Sequence, residues 1–245
     1  MLAVSALFLL DRNCRYARVY RSIGAIDSPG VERYLVDSSM DAYRIWRSDG
    51  FRGRTILFVA NRWERLDKDD IQMDPPMSRR YPLQLYKIAD LLEQTRLNER
   101  NFLFVAAVNG ITRRIVAILP QQGFNEMKET ALSAKNSRIG TGEIYVTHQG
   151  FPRWYTTGTA FKGEQEPVLL YISASYFRDA QPEDLFRQLM AAKLRSDCII
   201  LCRCKGDDRI TKQETDRLGR FANLIGSAVD TPVTDRSTPS PKSRP

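Results

Sequence analysis

Residues 137–162 carry the side chains best suited to bind an anion. A glycine-flanked turn there precedes a short apolar strand, and such a turn lets backbone N–H groups approach a phosphate with arginine support. An imidazole, a second guanidinium and an indole follow the strand. The candidate ligand-binding residues are Arg138, Gly140, Gly142, His148, Arg153 and Trp154.

The two arginines of this segment meet only if the chain reverses near Gly150, because a strand of about five residues spans roughly 16 Å. The sequence Gly150-Phe151-Pro152 supplies the chemistry of a turn. We therefore expect an anionic ligand, if one binds, to contact Arg138, His148 and Arg153. The alternative is an ordinary glycine-punctuated turn, since the segment lacks the features of a P-loop or a dinucleotide fingerprint.

Groups for acid–base or nucleophilic catalysis are scarce. His148 is the only histidine, and the sequence has no G-x-S-x-G motif for a serine nucleophile. A lone histidine is typical of a hydrogen-bonded structural residue as well as of a general base. Asp11 and the Asp207-Asp208 pair follow apolar strands, where carboxylates hold Mg²⁺ or form exposed turns. No catalytic residue or cofactor is assigned on these grounds.

The cysteines are Cys14, Cys198, Cys202 and Cys204, too few for a disulfide framework in a chain of 245 residues. This usage favours a reducing compartment. The C-x-C pair supplies two thiolates for a metal, but no second Cys or His pair accompanies it. We predict that Cys198, Cys202 and Cys204 are buried, reduced and free of metal.

The net charge of +8 raises the question of a nucleic-acid-binding surface. The basic residues are spread along the N-terminal half rather than clustered, which is also typical of a solvated surface of mixed charge. Tyr16, Arg18 and Tyr20 share one face of a predicted strand and form either a stacking platform for bases or a half-exposed strand face.

The clearest structural signal lies near the C-terminus. Residues 198–202 are apolar on both faces, as in a strand buried between two layers. A charged segment at residues 205–209, which we call the elbow, follows this strand. Thr211 then lies three residues before Glu214, which is the spacing of a capping box. Apolar residues then recur at helical spacing up to residue 229, so we predict a strand followed by a helix that packs on a sheet.

The remaining segments indicate further strands and helices. In chain order we predict a hairpin at 4–21, a helix at 28–46, a strand at 55–60, a charged loop at 61–81, a helix opening near Pro82, a hairpin of strands 102–108 and 112–119, a helix at 124–134, a strand at 144–147 and a strand–helix unit from 168. Asn109-Gly110 favours the second hairpin because both residues tolerate positive φ. The loop at 61–81 is expected to be the least ordered internal segment and to act either as a mobile lid or as a loop that binds another protein.

These elements predict an α/β fold with a mixed sheet, β-hairpins and about five helices packed as layers. One domain is expected to cover residues 1–229, followed by a disordered tail at 230–245 that has too few apolar residues to form a core. No apolar run reaches the length of about 18 residues that crosses a bilayer. The run at 2–10 lacks a positive segment before it and predicts a core strand rather than a signal peptide. A soluble, cytoplasmic protein without membrane contact is therefore expected.

Three classes of function remain open from the sequence. The first is a binding or adaptor protein without a recognisable catalytic site. The second is an enzyme that acts on a phosphate-bearing ligand through the region from Arg138 to Trp154. The third is a nucleic-acid-binding protein, which net charge alone supports.

Overall fold

The computed structural model describes residues 23–62, 97–134, 136–148 and 151–226. The strands are β1 (Gly24–Ala25), β2 (Glu32–Val36), β3 (Arg54–Val59), β4 (Thr112–Leu119), β5 (Ser137–Ile139), β6 (Glu143–His148), β7 (Phe151–Thr157), β8 (Val168–Ser173) and β9 (Arg195–Cys202). The α-helices are α1 (Ser39–Ser48), α2 (Phe102–Val108), α3 (Gln121–Leu132), α4 (Pro182–Ala191) and α5 (Lys212–Leu224), and a 3₁₀ helix spans Ala174–Arg178.

The described strands form one mixed sheet in the order β9-β8-β3-β4-β7-β6-β5, and both β1 and β2 pair with the outer edge of β9. Strands β2, β9, β8, β3, β4 and β7 are parallel to one another, β6 is antiparallel to both β7 and β5, and β1 is antiparallel to β9. With five α-helices in the described ranges, the predicted mixed α/β class is confirmed.

Helices cover both faces of the parallel strands, which explains why those strands are continuous apolar runs. Helices α1, α2 and α3 pack on what we call the first face. Helices α4 and α5 pack with the 3₁₀ helix on the second face. An aromatic cluster joins α1 and α2 to the sheet, with the rings of Phe58 and Tyr171 stacked at 5.2 Å and those of Trp46 and Phe102 at 6.1 Å.

The predicted strand–elbow–helix unit is confirmed as β9 followed by α5. Thr211 caps α5 by accepting a hydrogen bond from the backbone N–H of Glu214, and the Glu214 carboxylate accepts one from the Thr211 N–H. The same carboxylate binds the guanidinium of Arg178 at 2.8 Å, which ties α5 to the 3₁₀ helix.

The predicted helix at 28–46 is wrong in its first half. Residues Glu32–Val36 form β2, which pairs in parallel with Cys198–Cys202 of β9. The helix begins only at Ser39, where the Ser38 hydroxyl accepts a hydrogen bond from the N–H of Met40. The backbone N–H and C=O groups on the outer side of β9 need hydrogen-bond partners. Pairing of this segment with β9 therefore outweighs the helical spacing of its apolar residues.

The predicted hairpin around Asn109-Gly110 is also wrong, because Phe102–Val108 forms helix α2. When every residue of a short run is apolar, the spacing of apolar residues does not distinguish a strand from a helix. Asn109 is the C-cap of α2, and Gly110 follows with a φ of 69°. The same tolerance of positive φ that favours a hairpin thus ends a helix here.

Several predicted segments lie outside the described residues. These are the hairpin at 4–21 with the row Tyr16, Arg18 and Tyr20, residues 63–81 of the charged loop, the start of the helix near Pro82 and the tail at 230–245. In the described ranges, no helix combines the length and apolarity needed to cross a membrane.

Candidate functional site

The structure divides the residues of the predicted anion site between the two faces of the sheet. Arg138 of β5 lies opposite Tyr145 of β6, which in turn lies opposite Trp154 of β7. Arg153 lies opposite Val146 instead. Because consecutive strand residues point to opposite faces, Arg138 and Arg153 do not converge on one ligand, and that part of the prediction is wrong. The expected chain reversal is present, since β6 and β7 are antiparallel.

On the second face, side chains form a stacked row that we call the arginine–aromatic row. The guanidinium of Arg114 lies 4.3 Å from the ring centroid of Trp154, and that of Arg138 lies 5.9 Å from the ring of Tyr145. The two rings are 5.0 Å apart. Glu164 neutralises Arg114 with an ion pair of 3.1 Å. The charge of Arg114 is therefore neutralised by Glu164, and Arg138 is the exposed cation of the row.

The two glycines of the predicted site shape a turn between β5 and β6. The N–H of Gly140 donates to the carbonyl of Glu143 at 2.8 Å. Gly142 has a φ of 101°, and a Cβ atom there would lie 3.0 Å from the Cβ of Ala160. Their role in the fold is thus explained by backbone geometry and packing. His148 is the last residue of β6, opposite Phe151.

Arg153 lies on the first face, where its neighbour on β4 is Ile115 and its neighbour on β6 is Val146. Only 4% of its surface is exposed. Its buried Nε has no hydrogen-bond acceptor among the residues that the structure describes. A buried cationic group without an acceptor is costly, so this arginine remains a candidate to bind an anion.

A second group of reactive side chains lies at the carboxyl edge of the parallel strands. Strands β8 and β9 are neighbours and end at the same edge, with Ser173 in register with Cys202. The chain passes from β3 to β4 on one side, whereas β8 lies on the other side of β3. Ligand sites of parallel sheets form outside the carboxyl ends of the strands, next to such a change of direction.

At this edge the thiol of Cys204 lies beside another thiol and two hydroxyl groups. Its Sγ is 3.1 Å from Sγ of Cys202, 3.3 Å from Oγ of Ser173 and 3.8 Å from the hydroxyl oxygen of Tyr171. We call these four residues the thiol cluster. They come from two neighbouring strands and the segment that follows β9.

Backbone pairing beyond β9 holds Cys204 in place. The N–H of Arg203 donates to the carbonyl of Val36, and the N–H of Lys205 donates to the carbonyl of Asp37. Between them Cys204 adopts a left-handed backbone with a φ of 51°. This conformation costs about 1–2 kcal/mol in a residue with a Cβ, and such strain is typical of positions where a side chain must be aimed. Both flanking cations bind the Asp37 carboxylate.

Further hydroxyl groups extend the thiol cluster on both sides. The Ser173 hydroxyl is 2.8 Å from that of Ser175, which accepts a hydrogen bond from the N–H of Asn61 at 3.3 Å. On the other side, the Tyr171 hydroxyl is 2.8 Å from Oγ of Ser39. The two hydroxyls that touch Cys204 are therefore themselves held, Ser173 by Ser175 and Tyr171 by Ser39.

The cluster shifts the pKa values of its two thiols in opposite directions. The hydrogen bond with Cys202 lowers the pKa of Cys204, and those with Ser173 and Tyr171 act in the same direction, against the effect of burial. Burial raises the pKa of Cys202 well above its ordinary value. Burial also raises the pKa of Tyr171, so its hydroxyl keeps its proton and remains a donor. Of the two thiols, Cys204 is thus the one whose thiolate is stabilised by its neighbours.

These positions correct part of what was expected of the cysteines. Cys198 and Cys202 are buried as predicted, whereas Cys204 is only half-buried. The sequence analysis predicts that all three are buried as small apolar residues. The available signal was that the strand ends at Cys202, which places Cys204 in the elbow beyond it. Among the described residues, no group of three His, Cys, Asp or Glu side chains is placed to hold a metal ion.

No protein-family model matches this sequence, and no curated protein shows significant similarity to it.

Proposed function

We propose that this protein performs thiol chemistry, with Cys204 as the nucleophile. The observation that carries the proposal is the contact of Cys204 Sγ with the thiol of Cys202 and the hydroxyls of Ser173 and Tyr171. A thiolate is the reactive form of cysteine, and hydrogen-bond donors stabilise it. A purely apolar environment destabilises the thiolate instead.

Each member of the thiol cluster has a role in this proposal. Ser173 and Tyr171 donate to the thiolate from β8, and protonated Cys202 donates from the end of β9. The half-exposed position of Cys204 gives a small electrophile access to its sulfur. Because hydrogen bonds stabilise the thiolate, the proposed reaction does not need a histidine base.

The anion-binding function predicted from the sequence keeps one supporting observation, the buried Nε of Arg153, which has no acceptor within the described part of the chain. A phosphate-bearing ligand is the second candidate on that ground. The roles of an adaptor acting through the loop at 61–81 and of a nucleic-acid-binding protein stay predictions, as does a cytoplasmic location.

Alkylation kinetics test the thiol proposal. The reduced full-length protein is treated with iodoacetamide between pH 5 and pH 9, and each cysteine is quantified by peptide mass spectrometry. We expect Cys204 to react first, with the midpoint of its rate below that of a free cysteine. Cys198→Ala should leave this phase unchanged, because burial raises the pKa of Cys198 and keeps it unreactive.

Ser173→Ala supplies a readout that a purely structural role would not change. Removing this hydroxyl takes a donor from the thiolate, so the midpoint for Cys204 should move to higher pH while the folded fraction stays the same. The proposal is wrong if Cys204 reacts no faster than Cys198, or if its midpoint equals that of a free thiol in the wild-type protein.

A further inference from the structure

The two sulfur atoms of the thiol cluster are closer than ordinary packing requires. Sγ of Cys202 and Sγ of Cys204 lie 3.1 Å apart, and a disulfide bond is about 2.0 Å long. Bond formation thus needs a relative movement of only about 1 Å. Both residues flank the end of β9, and the second of them already has the left-handed backbone that brings its thiol back to the first.

Exposure distinguishes the roles of the two cysteines. Cys204 is half-buried and open to a reagent, whereas Cys202 has no exposed surface. An incoming oxidant therefore meets Cys204 first, and Cys202 is reachable only by a group already attached to Cys204. This is the arrangement of an attacking thiol beside a resolving thiol.

We propose that Cys204 is oxidised by a hydroperoxide and that Cys202 then resolves the product to a Cys202–Cys204 disulfide. The inference rests on the proposed function, because it requires the Cys204 thiolate. A hydroperoxide fits this edge better than a bulky disulfide does, since it has only to reach one half-buried sulfur. Exchange with a disulfide would also need room for a leaving group in line with the attacking sulfur.

The reaction balances without a further reactant. The Cys204 thiolate attacks the terminal peroxide oxygen, the O–O bond breaks, and the departing alkoxide or hydroxide takes a proton from water. Cys204 is now a sulfenic acid. The Cys202 thiol loses its proton to water, its sulfur bonds to Cys204 Sγ, and the S–O bond breaks with release of hydroxide, which takes up that proton. Two thiols have been oxidised by two electrons, and the peroxide has become an alcohol, or water, plus a second water.

Hydroxyl groups are placed to assist the first step. Ser173 touches Cys204 Sγ and is itself linked to the hydroxyl of Ser175, so the attacking sulfur is held by a hydroxyl group that is fixed in place. The disulfide would close a loop around Arg203 alone. Loops this short restrict the unfolded chain little, so we expect a disulfide that a dithiol reduces readily.

The reduced full-length protein with one equivalent of hydrogen peroxide provides the test. We expect the loss of two titratable thiols per chain, and non-reducing peptide mapping should show a link between Cys202 and Cys204 that dithiothreitol reverses. Cys204→Ser should lose no thiol under these conditions. Cys202→Ser should stop at a sulfenic acid on Cys204, which dimedone traps, while Cys198→Ala should behave as the wild type.

Three other outcomes would each contradict the further inference, the proposed function or the assigned class of oxidant. If Cys204 is alkylated rapidly and forms a sulfenic acid, but the wild type yields no link to Cys202, the inference is overturned and the proposed function stands. If Cys204 reacts with neither iodoacetamide nor peroxide, both are overturned. If oxidised glutathione forms the link faster than an equal concentration of peroxide, the assigned class of oxidant is wrong.

Discussion

Replacing Asp197 by asparagine should change how the stability of the protein depends on pH. Asp197 has no exposed surface, and its Oδ2 lies 2.9 Å from Nε of Arg54 on β3. Burial raises the pKa of Asp197 from 3.8 to about 6, although Arg54 acts in the opposite direction. The folded protein thus binds a proton at Asp197 in a pH range where the unfolded chain has already released it.

The sign of the effect follows from proton linkage. Between pH 3.8 and about 6 the folded state holds more protons than the unfolded state, so the contribution of Asp197 to stability is largest in acid and falls as the pH rises. Each unit of pKa difference corresponds to about 1.4 kcal/mol. A difference of about two units therefore removes up to about 3 kcal/mol from the wild type by pH 7.

Urea unfolding at intervals between about pH 2.5 and pH 7 measures this dependence, with tryptophan fluorescence as the probe because Trp46 is buried. Asp197→Asn does not titrate, so the free energy of unfolding of the variant should rise relative to that of the wild type across this range. Replacing the protonated carboxyl by an amide adds an offset that does not depend on pH, because the effect of Arg54 is already contained in the pKa of about 6. The slope of the difference is thus the informative quantity.

Asp207→Asn is the matched control with the opposite sign. Hydrogen bonds from Arg209 lower the pKa of Asp207, so its contribution to stability is present above pH 3.8 and is lost as the pH falls through its folded pKa. This variant should therefore be weakened most near neutral pH. If Asp197→Asn gives a difference curve of the same sign as the control, the ion pair with Arg54 outweighs burial and our reasoning about Asp197 is refuted.

Two further predictions concern α5 and the anion candidate. Glu214→Ala removes the partner of Arg178 and half of the capping box, so it should lower the free energy of unfolding by about 2–3 kcal/mol, against about 1 kcal/mol for Thr211→Ala; equal losses in urea titrations would contradict the role of the ion pair. If calorimetry detects binding of inorganic phosphate, Arg153→Ala should weaken it by about 1.5–3 kcal/mol, whereas Arg138→Ala on the opposite face should not.

Local patterns in the sequence were sufficient for the elements whose signals are complete within a few residues. The apolar run of β9 and the capping box of α5 are such signals, and both elements lie where they were predicted. The run Phe102–Val108 is buried on every side, so only its packing against α1 and the sheet determines that it is a helix. β2 likewise owes its conformation to the free edge of β9.

The candidate sites were harder to predict because both depend on pairing between distant segments. The sequence predicts no strand over residues 151–157, whereas Arg153 and Trp154 are consecutive residues of β7 and therefore lie on opposite faces. The thiol cluster joins Ser173 to Cys204, and these residues become neighbours only because β8 and β9 are adjacent and parallel. Nothing in the local sequence of either strand specifies that adjacency.

The contrast between Cys198 and Cys204 locates the origin of thiol reactivity in position rather than residue type. Both belong to the same strand–elbow–helix unit and both contact the core of the first face. Cys198 lies inside β9, where burial raises its pKa. Cys204 lies just beyond the strand end, where its pKa is lowered by groups on the neighbouring strand and by Cys202. Cys204 contacts two side-chain hydroxyls and a thiol, whereas Cys198 lies in the core of the first face, so the same residue type is proposed as a nucleophile at one position and is a packing residue at the other.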